Sequence, residues 1–484
     1  MSINALFPWL VAAAVLVVSF AAAGRALLYK RDPLESWSWI VACLAFPPLG
    51  AILFFFFGIN RVRTKAREIE DQARFPHPDR PRPERPPSSA ITRHLGAEHY
   101  QFQLHDEAIH RLTGLPARPG NHITPLINGN EAYPAMIQAI RDARIRIMLS
   151  TYIFEKNYSG RLFVEALADA RQRGVEVLVL LDGVGQLHGF SSVYKKLKRV
   201  GINVQRFLPP RLFPPTLTLN LCNHRKILVS DRTKAFIGGI NIGDRYMDDG
   251  TNPNRALDIH FMIEGPVIDQ IAQVFTDDWQ FATHSKLRPP ARRMHRPVLP
   301  AGKAWCRAVA DGPNDDLDAL ATLLVSAVHT ARKRVVIMTP YFLPSRELIL
   351  ALQTASLRGV EVIVLLPGKP DNPIVHWATR HMLWQLLRHN VQVLYQPAPF
   401  VHSKLFLVDG QYALIGSTNI DPRSLRLNFE LGLEIFDSQT VKPLGQYCQR
   451  AYKASTQISL ASLENRRLPE RIRDAIAWLF SPYL

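Results

Sequence analysis

The sequence predicts an α/β protein of two duplicated halves, each a sheet flanked by helices, related by a pseudo-twofold axis and preceded by two N-terminal transmembrane helices. Three observations predict it. The N-terminus carries two charge-free apolar stretches. Beyond them, three sequence segments recur in the same order. Two of these recurrences place apolar runs of the kind that form buried strands, one of them fed by a helical pattern.

Ser2 to Gly24 and Ser36 to Asn60 contain no charged residue, and each exceeds the ~20 residues that cross a bilayer as a helix. Residues 1–62 are read as a membrane anchor. Ala21-Ala22-Ala23 offers a signal-peptide cleavage site, but a basic leader is missing and a second apolar stretch follows at once. Trp37 and Trp39 begin that stretch as interfacial residues would, and Pro47-Pro48 implies a kink or a re-entrant hairpin. Arg61, Arg63, Lys65 and Arg67 outnumber Arg25, Lys30 and Arg31 in the intervening loop. By the positive-inside rule the C-terminal part and both chain ends face the cytoplasm. Residues 63–118 are read as a juxtamembrane segment and Pro-rich linker, stiffened by PHPDRPRPERPP at 76–87.

The chain of 484 residues is long enough for two cores beyond the anchor, here 119–300 and 301–484. ARQRGVEVLVLLDG returns as ASLRGVEVIVLLPG, after helical patterns at Gly160 to Arg171 and Arg346 to Leu357. RIMLSTYIF returns as VVIMTPYFL, with Tyr152 and Tyr341 in matching places. NHRKILVSD returns as VHSKLFLVD. The balance of 58 Lys+Arg against 41 Asp+Glu, a formal +17, suits an anionic partner without choosing among nucleic acid, phospholipid and phosphorylated metabolites. The four cysteines are too dispersed for a disulfide scaffold or a cysteine zinc site.

The last repeat carries chemistry. His224, Lys226 and Asp231 precede Gly238, Gly239 and Asn241; His402, Lys404 and Asp409 precede Gly416, Ser417 and Asn419. Apolar runs around polar turn residues read as two β-hairpins. Turns between Arg232 and Thr233, and between Gly410 and Gln411, would set His224 opposite Asn241 and His402 opposite Asn419. The His and Lys, two residues apart, share a strand face. Asp231 and Asp409 then fall at the turns, roughly 23 Å from the histidines, and read as structural. Carboxylates to orient the imidazoles must come from elsewhere, and Asp258 and Glu430, aligned at the start of alternating strands, are the candidates. Two such sets around one phosphate let one histidine attack phosphorus while the other protonates the leaving alcohol. Lys226, Lys404, Asn241 and Asn419 would hold the phosphate oxygens, with no metal or other cofactor required.

These paired motifs, with AFIGGINIGDRYM, ALIGSTNIDPRS and LNFELGLEIFD, resemble the phospholipase D superfamily, and in detail its bacterial cardiolipin synthase family. The resemblance covers nearly the whole chain apart from the linker. It implies two phospholipase D-like halves and a phosphatidyltransferase of the cytoplasmic membrane. Two phosphatidylglycerol molecules would give cardiolipin and glycerol through a phosphohistidine. His224 or His402 would be the nucleophile and the other the acid, then the base; His224 is preferred, though sequence does not decide. The family motif counts Asp231 and Asp409 among its catalytic members, which the hairpin reading demotes to support. The implied partners are phosphatidylglycerol, other anionic phospholipids and the bilayer, with no nucleic acid. A membrane-anchored phosphodiesterase cutting phospholipid or nucleic acid with water would carry the same histidines. FLPPRLFPPTLTL, from Phe207 to Leu219, reads either as a lip over acyl chains or as a buried connection. LPERIRDAIAWLFSPYL at the C-terminus reads either as an interfacial helix or as one packed on the body.

Overall fold

The computed structural model describes residues 3–30, 33–58, 86–87, 89–185, 193–209, 221–250, 252–287, 297–312, 318–481 and 484. The N-terminal helices form a unit of their own. Ile3–Tyr29 is one continuous helix, and its Phe7–Tyr29 portion is the one segment among the described residues long and apolar enough to cross a membrane. The expected second transmembrane helix is broken. Pro33–Ala45 ends before Pro47-Pro48, and a short helix, Leu49–Leu53, leads into a π-turn at Phe54–Gly58. Two consecutive prolines withdraw two N–H donors, so the ladder cannot run through them. Gly50 lies where a Cβ would meet the Ala42 carbonyl oxygen at 1.8 Å, so the two pieces approach more closely than any side chain would allow.

The body is built on one sheet. Its strands are β1 (Arg118–Ile127), β2 (Arg146–Thr151), β3 (Glu176–Asp182), β4 (Asn203–Phe207), β5 (Ile227–Ser230), β6 (Lys234–Gly238), β7 (Ala256–Leu257), β8 (Ile259–Glu264), β9 (Ala304–Asp311), β10 (Arg334–Met338), β11 (Glu361–Pro367), β12 (Gln392–Gln396), β13 (Phe400–Val401), β14 (Leu405–Val408), β15 (Tyr412–Gly416), β16 (Glu430–Phe436) and β17 (Thr456–Gln457). The order is β17-β12-β11-β10-β14-β15-β16-β9-β1-β8-β6-β5-β2-β3-β4, with β7 and β13 paired separately. Read outward from the β1–β9 seam, the two halves have the same strand order, and β17 adds an edge to the second.

The repeated R-G-V-E-V has the same physical role in each half. Arg173 Nη2 donates to the Arg141 carbonyl at 2.9 Å, and Arg358 Nη2 to that of Val328 at 3.3 Å, so each arginine satisfies the open end of a neighbouring helix. Gly174 and Gly359 take φ of +85° and +87°, the left-handed turn that stops a helix. The valines are buried. Glu176 pairs with Arg146 and Glu361 with Arg334 on the adjacent strand. Asn157 and Ser345 cap the helices Tyr158–Gln172 and Arg346–Leu357 that feed these turns.

Residues 89–113 are not linker, contrary to the sequence reading. Ser89–Leu95 and Gln101–Thr113 are helices whose Ile91, Phe102 and Ile109 are buried in the second half's core. Gln101–Thr113 also brings His105 and Asp106 to Arg307 of β9. Arg307 Nη1 donates to Asp106 Oδ1 at 2.9 Å and its Nε to Glu434 Oε2 at 2.6 Å, while His105 and the Tyr412 hydroxyl bond the other Glu434 oxygen. The C-terminal helix Leu468–Leu479 packs on Pro373–Met382 through buried Asp474, which accepts from Arg380 at 2.7 and 2.9 Å. Its opposite face leaves Leu468, Ile472, Ile476 and Leu479 exposed. Of the apolar stretch that begins at Phe207, residues 210–219, with Phe213 and Leu217, lie outside the described residues.

Candidate active site

Both histidine–lysine pairs sit in the extended chain that enters a hairpin. His224 and Lys226 lead into β5, and His402 and Lys404 into β14. The hairpin register differs by one residue from the expected one: Ile227 pairs with Ile237 and Leu405 with Ile415. The cause is the turn. Asp231 and Arg232 take φ of 49° and 58°, and Asp409 and Gly410 take 52° and 70°, so each connection holds three residues rather than a central pair. The opposition of His224 to Asn241 and of His402 to Asn419 is therefore corrected, since a slip of one residue exchanges strand faces.

Asp231 and Asp409 sit at those turns. Asp231 accepts the backbone N–H groups of Arg144, Ile145 and Arg146 at 2.6–2.9 Å. Asp409 accepts those of Arg332, Lys333 and Arg334 at 2.8–2.9 Å. Each carboxylate is occupied in joining a turn to the start of a neighbouring strand. A catalytic place for these aspartates, as in the family motif, does not fit this geometry.

The histidines are held across the seam. The His224 N–H donates to the Phe429 carbonyl at 2.9 Å, and the His402 N–H to that of Leu257 at 2.7 Å. The next residue in each case is the carboxylate that meets the imidazole. His224 Nδ1 lies 3.0 Å from Glu430 Oε1, and His402 Nδ1 lies 2.7 Å from Asp258 Oδ2. Each half thus supplies the other's carboxylate, a crossing that the alignment of Asp258 with Glu430 did not reveal. With Nδ1 engaged, Nε2 is the nitrogen left for chemistry.

The carboxylates are themselves fixed. Glu430 accepts from the Ser417 hydroxyl and from Asn428; Asp258 accepts the Ile259 N–H at 2.8 Å. Gly239 stands where the second half has Ser417, and a Cβ there would meet Asp258 Oδ2 at 2.2 Å. The glycine is required by the carboxylate packed against it. Asn241 donates to the Tyr246 hydroxyl at 3.0 Å and accepts the Ile153 N–H at 3.1 Å. Asn419 donates to Ser424 Oγ at 3.1 Å, and its Oδ1 is buried with no partner among the described residues.

Both ammonium groups are buried, and each donates to the carbonyl of its own histidine. Burial pulls Lys226 down to about 7 and Lys404 to about 8, against the pull of Glu430 on the first and Asp258 on the second. Burial also lowers His224 despite Glu430. His402 is held well below its ordinary value by burial and then by Lys404 and Lys226, with Asp371 opposing. The two sets act on one another electrostatically, Lys404 on His224 and Lys226 on His402. Crowded cations that would gain from a negative charge describe an anion-binding centre. Among the described residues no group of three or more His, Cys, Asp or Glu is placed to hold a metal ion.

Two residues near the site, Asp182 and Arg225, carried no recognised sequence signal. Buried Asp182 accepts the N–H groups of Val184, Gly185 and Asn223 at 2.7–2.8 Å and so fixes the approach to His224. Arg225 reaches the Glu430 carbonyl at 2.8 Å and pairs with Asp278. Its partner position holds Ser403, so the repeat conceals it. The Tyr152 ring lies 5.4 Å from that of His224. Tyr341, its counterpart, donates to Asp371 at 2.6 Å.

Two His–Lys pairs, each backed by a buried carboxylate from the other half, define an enzyme of the phospholipase D type. The family model described as "Cardiolipin synthase, PLD-like domain" matches residues 136–279 and 324–452, and "Phospholipase D-nuclease N-terminal" matches 9–58. The chain belongs to the cardiolipin synthase family of the phospholipase D superfamily. It is 29% identical to the major cardiolipin synthase ClsA of Bacillus subtilis over 469 residues, covering 94% of this chain and 95% of that protein. A cardiolipin synthase of Geobacillus thermodenitrificans is 28% identical over 482 residues, covering 99% and 94%. The crystal structure of phosphatidylserine synthase from Haemophilus influenzae shares the fold, with a TM-score of 0.61 at 18% identity, covering 79% of this chain and all of that one.

Proposed function

We propose that the protein transfers a phosphatidyl group from one phosphatidylglycerol to another, forming cardiolipin and releasing glycerol. The observation that carries this is the exchange of carboxylates, Glu430 to His224 and Asp258 to His402, which makes one site of two equivalent sets. His224 Nε2 attacks phosphorus while His402 gives a proton to the departing glycerol oxygen. The acceptor hydroxyl then attacks the phosphohistidine, returns a proton to His402 and breaks the P–N bond. Lys226 and Lys404 bind the phosphate oxygens, and their charge is completed when the anion enters. Asn241, bonded to Tyr246 and Ile153, and Asn419, bonded to Ser424, brace the loops that follow the hairpins.

The repeated strand order supports an origin of the halves by duplication about a pseudo-twofold axis. Residues 1–62 anchor the enzyme to the cytoplasmic membrane through the helix at Phe7–Tyr29 and a second apolar segment that enters as a broken hairpin. The excess of basic residues in the sequence beyond it supports a cytoplasmic body by the positive-inside rule. Purified protein given phosphatidylglycerol alone tests the reading by product mass. Cardiolipin and glycerol support it; phosphatidic acid as the only lipid product would favour the hydrolytic alternative.

A further inference from the structure

The two halves place chemically different groups beside their histidines. On the His402 side the loop after β11 brings in Asp371. Its Oδ1 accepts from the Tyr341 hydroxyl at 2.6 Å and its Oδ2 from Arg245 Nη2 at 3.1 Å. Arg245 lies over the Phe400 ring, 5.4 Å from its centroid, and Phe400 is 5.8 Å from the His402 ring. The Asp371 and Arg245 side chains are 26% and 40% exposed, so a solute can reach them, while Arg245 Nε is buried with no partner among the described residues. Aligning Gly238-Gly239-x-Asn241 with Gly416-Ser417-x-Asn419 sets Arg423 in the place of Arg245 on the His224 side. There the guanidinium meets Cys222 Sγ at 3.7 Å, and among the described residues no carboxylate lies within ion-pair distance.

A carboxylate beside a phosphate site opposes anion binding and needs another reason. Carboxylate, guanidinium and phenol together suit an uncharged polyol. Its hydroxyls donate to the carboxylate and to the phenol oxygen, whose own proton is committed to Asp371, and accept from the guanidinium. We propose that Asp371, Arg245 and Tyr341 form the subsite for the glycerol headgroup, holding the leaving glycerol in the first step and the acceptor lipid's glycerol in the second.

The subsite rests on the phosphatidyl-transfer reading and deepens it. Both alcohols pass through the same place because the second step reverses the first with a different alcohol. In the first step the P–O bond to glycerol breaks as the bond to His224 Nε2 forms, and the proton on His402 goes to the glycerol oxygen. In the second the acceptor oxygen bonds to phosphorus, its proton goes to His402, and the P–N bond breaks. The polyol subsite therefore belongs on the side of the proton-exchanging histidine, where Asp371 lies.

The test uses the full-length enzyme in mixed micelles of phosphatidylglycerol with labelled glycerol and propan-1-ol competing as acceptors. Propan-1-ol offers the same primary hydroxyl without the neighbouring ones. Asp371→Asn should lower the ratio of labelled phosphatidylglycerol to phosphatidylpropanol by about tenfold or more, as when a site loses its partner for a substrate hydroxyl. Tyr341→Phe should lower it in the same direction and decides the matter if Asp371→Asn does not fold. An unchanged ratio in the folded variants would overturn the subsite. A wild-type enzyme that forms neither product and no cardiolipin, releasing only phosphatidic acid, would instead overturn the transfer reading.

Discussion

Glu430 Oε1 lies 3.0 Å from His224 Nδ1 although the two residues belong to opposite halves of the sheet. The glutamate follows Phe429, whose backbone bonds both Cys222 and His224, so the strand that brings the carboxylate also fixes the imidazole. Glu430→Gln keeps the shape and removes the charge. It should lower kcat by roughly 10²–10⁴-fold, the range for a neutralised orienting carboxylate, with little change in KM. Single-turnover formation of the phosphohistidine measures it.

His224→Ala and His402→Ala should each abolish transfer, because one imidazole without the other cannot both attack and supply a proton. Cardiolipin formation in either variant within about tenfold of wild type would contradict a single shared site.

Asp409→Ala removes three hydrogen bonds from backbone N–H groups at the turn. The expected loss is about 2–3 kcal/mol, discounted for exposure of the turn. Turnover per folded molecule should change far less. Thermal melting together with active-site titration separates the two effects.

The pH dependence follows from the buried imidazoles. His402 is lowered by burial, then by Lys404 and Lys226. The proton needed by the leaving alcohol is therefore scarce in the free enzyme at neutral pH. The alkaline limb of kcat/KM should lie below the ordinary histidine value of about 6.5. A bound phosphate adds negative charge and raises the imidazole, so the limb in kcat should lie at higher pH. Asp371 opposes the lowering, and Asp371→Asn should move the kcat/KM limb further down. A limb above pH ~8 in kcat/KM would contradict the assignment.

Arg307 is completely buried and joins Asp106 to Glu434. Arg307→Ala leaves two carboxylates without their shared cation. The expected cost is about 3–5 kcal/mol, enough to free the helix Gln101–Thr113 from the sheet. Chemical denaturation and hydrogen exchange over that helix check it.

The repeated strand order was legible because the sequence repeats encode local tasks. The glycines at 174 and 359 stop helices, and the arginines before them cap others. The register of the hairpins was not legible, since it turns on Asp231 and Asp409 adopting left-handed backbone, which aspartate permits without requiring. The structural role of those aspartates did follow from strand length alone. The helices within 89–113 were not legible as part of the body, because Ile91 is separated from Phe102 and Ile109 by a break and the run is too short to show a sustained period. The exchange of Asp258 and Glu430 between halves is a tertiary fact. Aligning two repeats shows which residues correspond, and it carries no information on which partner each one meets.

Gly239 faces Asp258 where Ser417 bonds Glu430, Arg225 is matched by Ser403, and among the described residues no carboxylate pairs with Arg423 as Asp371 pairs with Arg245. An assembly of two identical subunits would have to accept any such change at both positions at once. A single gene encoding both sets lets a mutation fall on one side only. Selection can then sharpen the choice of alcohol without weakening the grip on the phosphate.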